Sequence, residues 1–468
     1  MPSLTVIENA MTITIDSQSA KQPSPVATLA AAIAGGRDSC VAALGRTRDC
    51  AERNAVLNAI AWVDWPSAES AAARIDAEIA AGRLAGPLTG VPISIKDLYQ
   101  VDGMPTRAGT RARLPDLGAR EASLVTRLRG TGALIFAKAN MHEIALGATG
   151  ENAWTGDVLN PFDHERQSGG SSSGSGAAVA TGIGAASIGS DTGGSVRIPA
   201  SFCGITGFKP SFDAIPLDGA LHLAFSFDHA GPLAPTVDDC AVLYQVMSGR
   251  AAHAPAPARA PRLGVPRDWL AGRLSVAVRD AFERSLALLR AEDVDIVELP
   301  LPLLREAWNC YTPIVRAEAA WVHREVLATG GEGFSEGVLA TMRVGDALMA
   351  TDYIEALRQR ERIRADLDAG LAGVDAMILP ASAVVPPLRG QMDVEVESGR
   401  TTVREAVLGQ TAPFSACGLP TLSMPWVRID GLPVGLQVVG ARAADAELLS
   451  IGRWLEALLA ARVDETLR

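Results

Sequence analysis

Helical and strand-like hydrophobic patterns alternate along the first half of the chain. Ala68–Ala81 and Glu121–Arg129 have the composition or apolar spacing of helices. Val91–Ile95 alternates like a strand, and Ala133–Ala137 forms a short apolar run of the kind found in buried strands. Alternation of this kind predicts α/β layers around a mostly parallel sheet.

The second half places a helical stretch between two groups of strands. A break rich in Pro and Ala at 253–261 is followed by a strand pattern at Leu263–Val265. Several helices are predicted over Glu306–Leu371, and strand patterns return at Ala376–Pro380 and Gly435–Val439. Because strands lie on both sides of the helices, the pattern favours one domain with a helical excursion.

We therefore predict an α/β fold in which one large domain spans 26–465. Its mixed central β-sheet is flanked by helices on both faces, and 262–375 forms the mainly helical excursion that is expected to govern substrate selectivity. Residues 1–25 are polar, carry no sustained period and are predicted to form a loosely ordered arm.

Composition narrows the classes of function. The chain has 468 residues, 48% of them apolar and 20% charged, which is typical of a soluble globular protein. Its net charge of -11 argues against nucleic acid as a partner, because phosphate binding requires clustered basic residues. No run of about 20 apolar residues indicates a membrane span, and Met1–Ala20 lacks the features of a signal peptide. A cytoplasmic location without membrane contact is expected.

Cysteine and lysine usage adds two further constraints. The six cysteines include no C-x-x-C pair, so neither a disulfide framework nor a metal is expected, and no cofactor is predicted. Lysine occurs only as Lys21, Lys96, Lys138 and Lys209, whereas Arg fills every other basic position. Of lysine and arginine, only lysine can lose its proton near neutral pH. Lys96 ends a predicted strand, where α/β active sites gather, although a surface lysine would be the ordinary interpretation.

Two segments rich in Gly and Ser are candidates for catalytic turns. Gln167–Gly176 reads QSGGSSSGSG, and Gly189–Pro199 reads GSDTGGSVRIP. Consecutive N–H groups beside small residues can form an oxyanion hole. The first segment also fits a flexible linker. Within it, Gly170–Gly174 fits the G-x-S-x-G elbow of another hydrolase class, in which Ser172 would be the nucleophile.

Together these segments resemble the amidase signature family. The resemblance is carried by GVPISIKDLYQVDGMPTRAGT, SGGSSSGSGAAVATGIGAASIGSDTGGSVRIPASFCGITGFKPS, CGLPTLSMP and GLPVGLQVVG, and it extends from about residue 25 over nearly the whole chain. It implies a catalytic triad of Lys96, Ser171 and Ser195, with a cis peptide bond before Ser171. Ser173 departs from the family pattern, which often has Gly there, and Ser190 departs where Thr is frequent.

The resemblance also implies a mechanism. Ser195 would attack an amide carbonyl to form an acyl-enzyme, Ser171 would relay the proton, and a neutral Lys96 would accept it. For this, burial must lower the pKa of Lys96 from about 10.4. Asp97 should point to the opposite strand face and be structural. The wider predicted site comprises the oxyanion-hole residues Thr192, Gly193, Gly194 and Ser195 and the supporting residues Ser172, Asp191 and Arg197, the last two as an ion pair.

The predicted function is hydrolysis of a carboxylic amide of a small soluble substrate to an acid and ammonia or an amine. Tyr311, Arg316 and Glu318 are candidate substrate contacts. An aryl amide, a small amide bearing a carboxylate and a urea-derived acid all stay open as substrates. The sequence does not fix the oligomeric state, and a homodimer is one expectation.

One alternative belongs to a different class of protein. The amidase component of tRNA-dependent amidotransferases shares this signature and supplies ammonia to partner subunits. That component typically has an acidic residue shortly before the equivalent of Thr411, to hold the amino group of glutamine. This chain has Leu408–Gln410 there, which disfavours the amidotransferase interpretation.

Overall fold

The computed structural model describes residues 13–15, 24–118 and 120–466. Its strands are β1 (Ile13–Ile15), β2 (Ile60–Val63), β3 (Pro92–Lys96), β4 (Leu134–Ala139), β5 (Ala186–Asp191), β6 (Thr206–Lys209), β7 (His229–Ala234), β8 (Leu263–Val265), β9 (Ile296–Glu298), β10 (Ala376–Pro380), β11 (Asp393–Val396), β12 (Gly399–Thr402), β13 (Thr421–Ile429) and β14 (Leu432–Val439).

Its helices are α1 (Pro25–Ala34), α2 (Cys40–Arg53), α3 (Trp65–Ala80), α4 (Ser123–Gly130), α5 (Ser173–Ala180), α6 (Arg197–Phe202), α7 (Val237–Ser248), α8 (Arg267–Leu270), α9 (Val276–Ala291), α10 (Ala307–Val322), α11 (Arg324–Ala328), α12 (Glu336–Asp346), α13 (Ala350–Leu371), α14 (Val403–Leu408), α15 (Ala412–Ala416) and α16 (Asp445–Thr466). Short 3-10 helices lie at Ala55–Leu57, Glu143–Ala145 and Pro302–Glu306.

One large mixed sheet forms the centre of the described residues. Its order is β2-β4-β3-β5-β7-β6-β13-β14-β10-β8-β9, and β1 is added beside β13. The parallel neighbours are β3 with β4 and β5, and β8 with β9 and β10. The other neighbours in this sheet are antiparallel. The mixed α/β fold class is therefore confirmed, but the prediction of a mostly parallel sheet is wrong.

The hairpin of β13 and β14 explains part of that difference. Asp430 and Gly431 are the two residues between the strands, and both have positive φ, at 51° and 80°. Asp-Gly in a two-residue turn of this kind joins antiparallel strands, whereas parallel neighbours need a long crossover. The Asp-Gly pair was the sequence signal for this hairpin.

The segment that carries Ser171 continues directly into a helix, because α5 begins at Ser173. Gly174 permits the close approach of this first turn, because a Cβ at that position would lie 2.2 Å from the carbonyl oxygen of Ala59. Small residues thus let the first turn of α5 approach neighbouring backbone closely.

The helical excursion leaves the sheet after β9 and returns to it at β10. Within it, α10 packs against α12 and α13. The predicted N-terminal arm lies mostly outside the described residues. Of its described residues, Ile13–Ile15 form a strand paired with β13, and Ser24 and Pro25 lie at the start of α1.

All six cysteines are free thiols, and five of them are buried. Among the helices of the described ranges, none is both long and apolar enough to cross a membrane.

Candidate active site

Lys96 lies at the end of β3 with its side chain completely buried. Its Nζ donates hydrogen bonds to Ser171 Oγ (2.7 Å) and Ser190 Oγ (2.8 Å). Burial lowers the pKa of Lys96 to about 7, although the negative charges of Asp191 and Asp228 oppose this effect. A large fraction of the amine is therefore neutral near pH 7 and able to accept a proton.

The serine-rich turn is fastened to both neighbouring segments. The peptide bond before Ser171 is cis, and the Ser171 carbonyl accepts a hydrogen bond from the N–H of His142 (3.1 Å). The N–H of Ser172 donates to the carbonyl of Ser195 (3.2 Å). The Ser172 hydroxyl donates to the carbonyl of Ser190 (3.1 Å) and accepts from its N–H (3.2 Å). Ser172 therefore holds two turns together, so its hydroxyl is already engaged by backbone.

The turn that carries Ser195 requires glycine at two successive positions. A Cβ on Gly193 would lie 2.1 Å from the hydroxyl oxygen of Tyr311, and one on Gly194 would lie 2.2 Å from Thr411 Oγ1. Gly194 also has φ of +143°, which disfavours any side chain. Thr411 fixes the turn, because its hydroxyl donates to the carbonyl of Gly193 (2.6 Å).

The turn leaves its backbone donors available. Within the described residues, no protein acceptor binds the N–H groups of Gly193, Gly194 or Ser195. Donors that are fixed in place and free of partners can stabilise the negative oxygen of a tetrahedral intermediate.

Asp191 and Arg197 flank this turn as a fully buried ion pair. Arg197 donates to both carboxylate oxygens of Asp191, at 3.0 Å from Nε and 2.9 Å from Nη2. Arg197 also donates to the carbonyl of Thr411 (2.9 Å) and to Gln437 Oε1 (2.8 Å). Burial alone would raise the pKa of Asp191, but the charge and hydrogen bonds of Arg197 hold it well below its usual range. The pair therefore stays charged and ties β5 to α6 and α15.

A further group behind the turn was not identified from the sequence. The Thr192 hydroxyl donates to Asp228 (2.6 Å), whose carboxylate also accepts the N–H groups of Leu223 and Ala224. His222 lies 3.0 Å from the same carboxylate, and this hydrogen bond raises the pKa of His222. Asp228 thus anchors the first residue of the oxyanion turn.

A cavity of about 700 Å³ opens in front of Ser195. Thr192 and Gly193 contribute to its wall, together with the aromatic rings of Trp308 and Tyr311. These two rings stack at 5.8 Å between centroids. The cavity is large enough for a small organic substrate, and it brings such a molecule next to the candidate nucleophile.

His142 also lines this cavity and is partly buried. Burial and then the charge of Lys96 lower the pKa of His142 to about 4. His142 is therefore neutral at pH 7. In the described ranges, no cluster of three or more His, Cys, Asp or Glu side chains could hold a metal ion.

The structure places two of the three residues proposed for substrate contact on the cavity wall. Tyr311 and Arg316 line the cavity, whereas Glu318 does not. The Glu318 carboxylate is buried and accepts hydrogen bonds from the N–H (3.0 Å) and hydroxyl (2.7 Å) of Ser226 and from the Tyr353 hydroxyl (2.9 Å). These bonds give Glu318 a structural position rather than a place on the cavity wall.

The other described lysines have structural partners. Lys138 Nζ lies 3.1 Å from the carboxylate of Asp97, which places Asp97 in an ion pair away from Lys96. Lys209 donates to the carbonyls of Pro210 (2.9 Å) and Leu419 (2.5 Å). Lys21 lies outside the described residues. Among the described lysines, only Lys96 donates to the serine-rich turn.

Comparisons with known proteins agree on the family to which the chain is similar. A family model described as Amidase matches residues 46–449. The A-type subunit of the Glutamyl-tRNA(Gln) amidotransferase of Symbiobacterium thermophilum is 33% identical over 420 residues, which are 81% of this chain and 85% of that protein.

Two solved structures are similar over nearly the whole fold. One, described as "Crystal structure of amidase", is 47% identical with a TM-score of 0.90, and the match covers 92% of this chain and 99% of that one. The other is described as "An unexpected vestigial protein complex reveals the evolutionary origins of an s-triazine catabolic enzyme". It is 30% identical with a TM-score of 0.85, and the match covers 92% of this chain and 98% of that one.

Proposed function

This chain belongs to the amidase family, and from that premise we propose that it hydrolyses the C–N bond of a small soluble carboxylic amide. The products are a carboxylic acid and ammonia or an amine. The observation that carries the proposal is the buried hydrogen bond from Lys96 to Ser171 beside the glycine turn of Ser195. A lysine with a pKa of about 7 provides a base at neutral pH.

In the proposed acylation step, Ser195 Oγ attacks the amide carbonyl carbon. Its proton passes to Ser171 Oγ, while the Ser171 proton passes to the neutral Nζ of Lys96. The N–H groups of the turn from Thr192 to Ser195 then stabilise the oxyanion, at roughly 3 kcal/mol for a well-placed donor. Asp228 and Thr411 support this step by fixing Thr192 and Gly193, the first two residues of the turn.

Collapse of the tetrahedral intermediate breaks the C–N bond. The leaving nitrogen takes a proton from Lys96 through Ser171, which restores the neutral lysine. Water then attacks the acyl-enzyme with the same relay as its base, and the acid is released from Ser195. The reaction consumes one water and needs no further reactant.

The proposed substrate contacts are Tyr311 and Arg316, both on the cavity wall. The Tyr311 hydroxyl lies against Gly193, so a substrate carbonyl held in the turn would meet it directly. Glu318 is assigned instead to the support of α10, because its carboxylate is occupied by Ser226 and Tyr353.

A second candidate function is that of the amidase component of a tRNA-dependent amidotransferase, which would supply ammonia to partner subunits. The curated relatives favour this candidate, since amidotransferase components of this type are 33 to 34% identical to this chain over most of its length. The residue shortly before Thr411 supports the free-standing enzyme instead. Amidotransferase components typically have an acidic residue there, whereas this chain has Leu408 on the cavity wall, and the acidic side chains of the wall are Glu151, Asp393 and Glu405.

Turnover by the purified chain tests these proposals. Ammonia release is measured for the chain alone with aryl, aliphatic and carboxylated primary amides and with glutamine. The free-standing enzyme should hydrolyse simple amides in preference to glutamine, whereas an amidotransferase component should prefer glutamine and respond to its partners. Ser195→Ala should abolish turnover, and Ser175→Ala, which removes a buried hydroxyl without a hydrogen-bond partner, should retain it. Full activity of Ser195→Ala would overturn the mechanism.

A further inference from the structure

Two arginines reach the cavity wall from different helices. Arg316 lies on α10, and Arg404 lies on α14 with its guanidinium carbon 4.7 Å from the ring centroid of Trp308. Arg316 Nε is buried and has no hydrogen-bond partner in the part of the chain that the structure describes. A buried unpaired N–H of a charged group is costly, so Arg316 would be stabilised if its guanidinium group bound an anion at the cavity wall.

Three carboxylates also line the cavity, but each has its own partner. Glu151 accepts a backbone N–H (2.6 Å), Asp393 pairs with Arg400 (2.9 Å), and Glu405 accepts from the Thr401 hydroxyl (3.2 Å). Neither cavity arginine forms an ion pair within the described residues. The wall therefore carries two arginines without an ion-pair partner among the described residues and three carboxylates, of which Asp393 is paired with a basic side chain.

The two guanidinium groups also influence each other. Burial of its guanidinium group away from water lowers the pKa of Arg404. Tyr311 opposes this effect, and the positive charge of Arg316 adds to it. An anion bound near both arginines would reduce this repulsion.

We propose that Arg316 and Arg404 form a carboxylate subsite, so that the substrate is a small amide that carries a carboxylate away from the scissile C–N bond. The inference rests on the proposed amide hydrolysis and selects among its substrate classes. The stacked rings of Trp308 and Tyr311 would pack against the carbon chain between the two groups.

The charges on the wall favour a carboxylate over a phosphate. A carboxylate is a single planar anion that can accept two parallel N–H donors, which is the geometry that guanidinium groups prefer. A second negative charge would meet the nearby acidic residues Glu151, Asp393 and Glu405.

The test uses matched amides that differ only in charge. Succinamate and glutaramate are compared with 4-methylpentanamide and 5-methylhexanamide, in which an isopropyl group replaces the carboxylate at nearly equal volume. The expected result is a kcat/KM at least about tenfold higher for the better carboxylated amide. Arg316→Met and Arg404→Met should each reduce this preference roughly 10- to 100-fold. Arg290→Met, at an exposed position on α9, should leave it unchanged.

Binding to Ser195→Ala separates this inference from the proposed function. Titration calorimetry with glutaramate and 5-methylhexanamide measures recognition without turnover. If no amide is hydrolysed but glutaramate still binds and Arg404→Met weakens it, the hydrolytic proposal fails and the subsite stands. Equal binding or equal turnover of the charged and neutral amides, or a preference that both arginine variants retain, would overturn the subsite. Failure of glutaramate and succinamate to bind would overturn it as well.

Discussion

Replacing Lys96 by methionine should abolish hydrolysis and change protein stability in a way that depends on pH. The side chain is completely buried, and its pKa is about 7 instead of the ordinary 10.5. Methionine has a similar length and needs no water or proton, so it removes the cost of burying an ionisable amine. It also removes the hydrogen bonds to Ser171 and Ser190, each worth about 1 kcal/mol.

The magnitude follows from the difference between the folded and unfolded pKa values. Between pH 7 and 10.5 the unfolded chain binds more protons at Lys96 than the folded protein does, so the free energy of unfolding rises with pH. The slope is about 1.4 kcal/mol per pH unit. The cost of burying Lys96 is therefore complete below pH 7, at roughly 4–5 kcal/mol, and disappears above pH 10.5.

Urea denaturation of the wild-type protein and of Lys96→Met at several pH values from 6 to 10 measures this difference. The stability of the variant relative to wild type should be greatest at pH 6 to 7 and should fall steadily as pH rises. Lys209→Met is the matched control, because Lys209 is buried with a pKa of about 7 but binds only backbone carbonyls. It should show the same slope. A pH-independent difference for Lys96→Met would refute a neutral buried lysine.

The pH dependence of catalysis should also follow from the lowered pKa of Lys96. Protonated Lys96 cannot accept the proton of the serine relay, so kcat/KM should fall about tenfold per pH unit below pH 7. Initial rates at limiting substrate check this, and a flat profile down to pH 5 would contradict it.

Other substitutions test the structural supports of the site. Asp191→Asn should lower the free energy of unfolding by about 3–5 kcal/mol, because it leaves the buried Arg197 without its counter-charge, and urea denaturation should reveal the loss. Thr411→Val should lower kcat roughly 10- to 100-fold through the lost hydrogen bond to the Gly193 carbonyl, and steady-state kinetics that match wild type would disprove this role. Glu318→Gln should leave KM unchanged while lowering the melting temperature. A large rise in KM would indicate that Glu318 contacts the substrate.

The local elements of the fold could be predicted from the sequence because hydrophobic period is a local property. The strand at the end of which Lys96 lies and the helix α4 both follow their patterns. Strand order and direction depend on partners that are distant along the chain. The antiparallel pairing of β13 with β6 and β14 is an example, and it makes the sheet less parallel than alternation suggests.

The same limit applies to the candidate site. The sequence motifs identified the candidate reactive groups. The hydrogen bond from Thr411 to the Gly193 carbonyl joins residues 218 positions apart, and no local pattern reveals such a contact. The structure places Glu318 away from the cavity for a different reason. It lies seven residues beyond Tyr311 on α10, or about 10 Å along the helix axis, where it contacts Ser226 instead of the cavity.

The central claim, that Ser195 carries the acyl group, is tested most directly by trapping the intermediate. The protein is mixed with an activated anilide, quenched in acid during turnover, digested and mapped by mass spectrometry. The proposed mechanism predicts an added acyl mass on Ser195, present in the Ser175→Ala control and absent in Ser195→Ala. An acyl group on Ser172, or one that persists in Ser195→Ala, would contradict it.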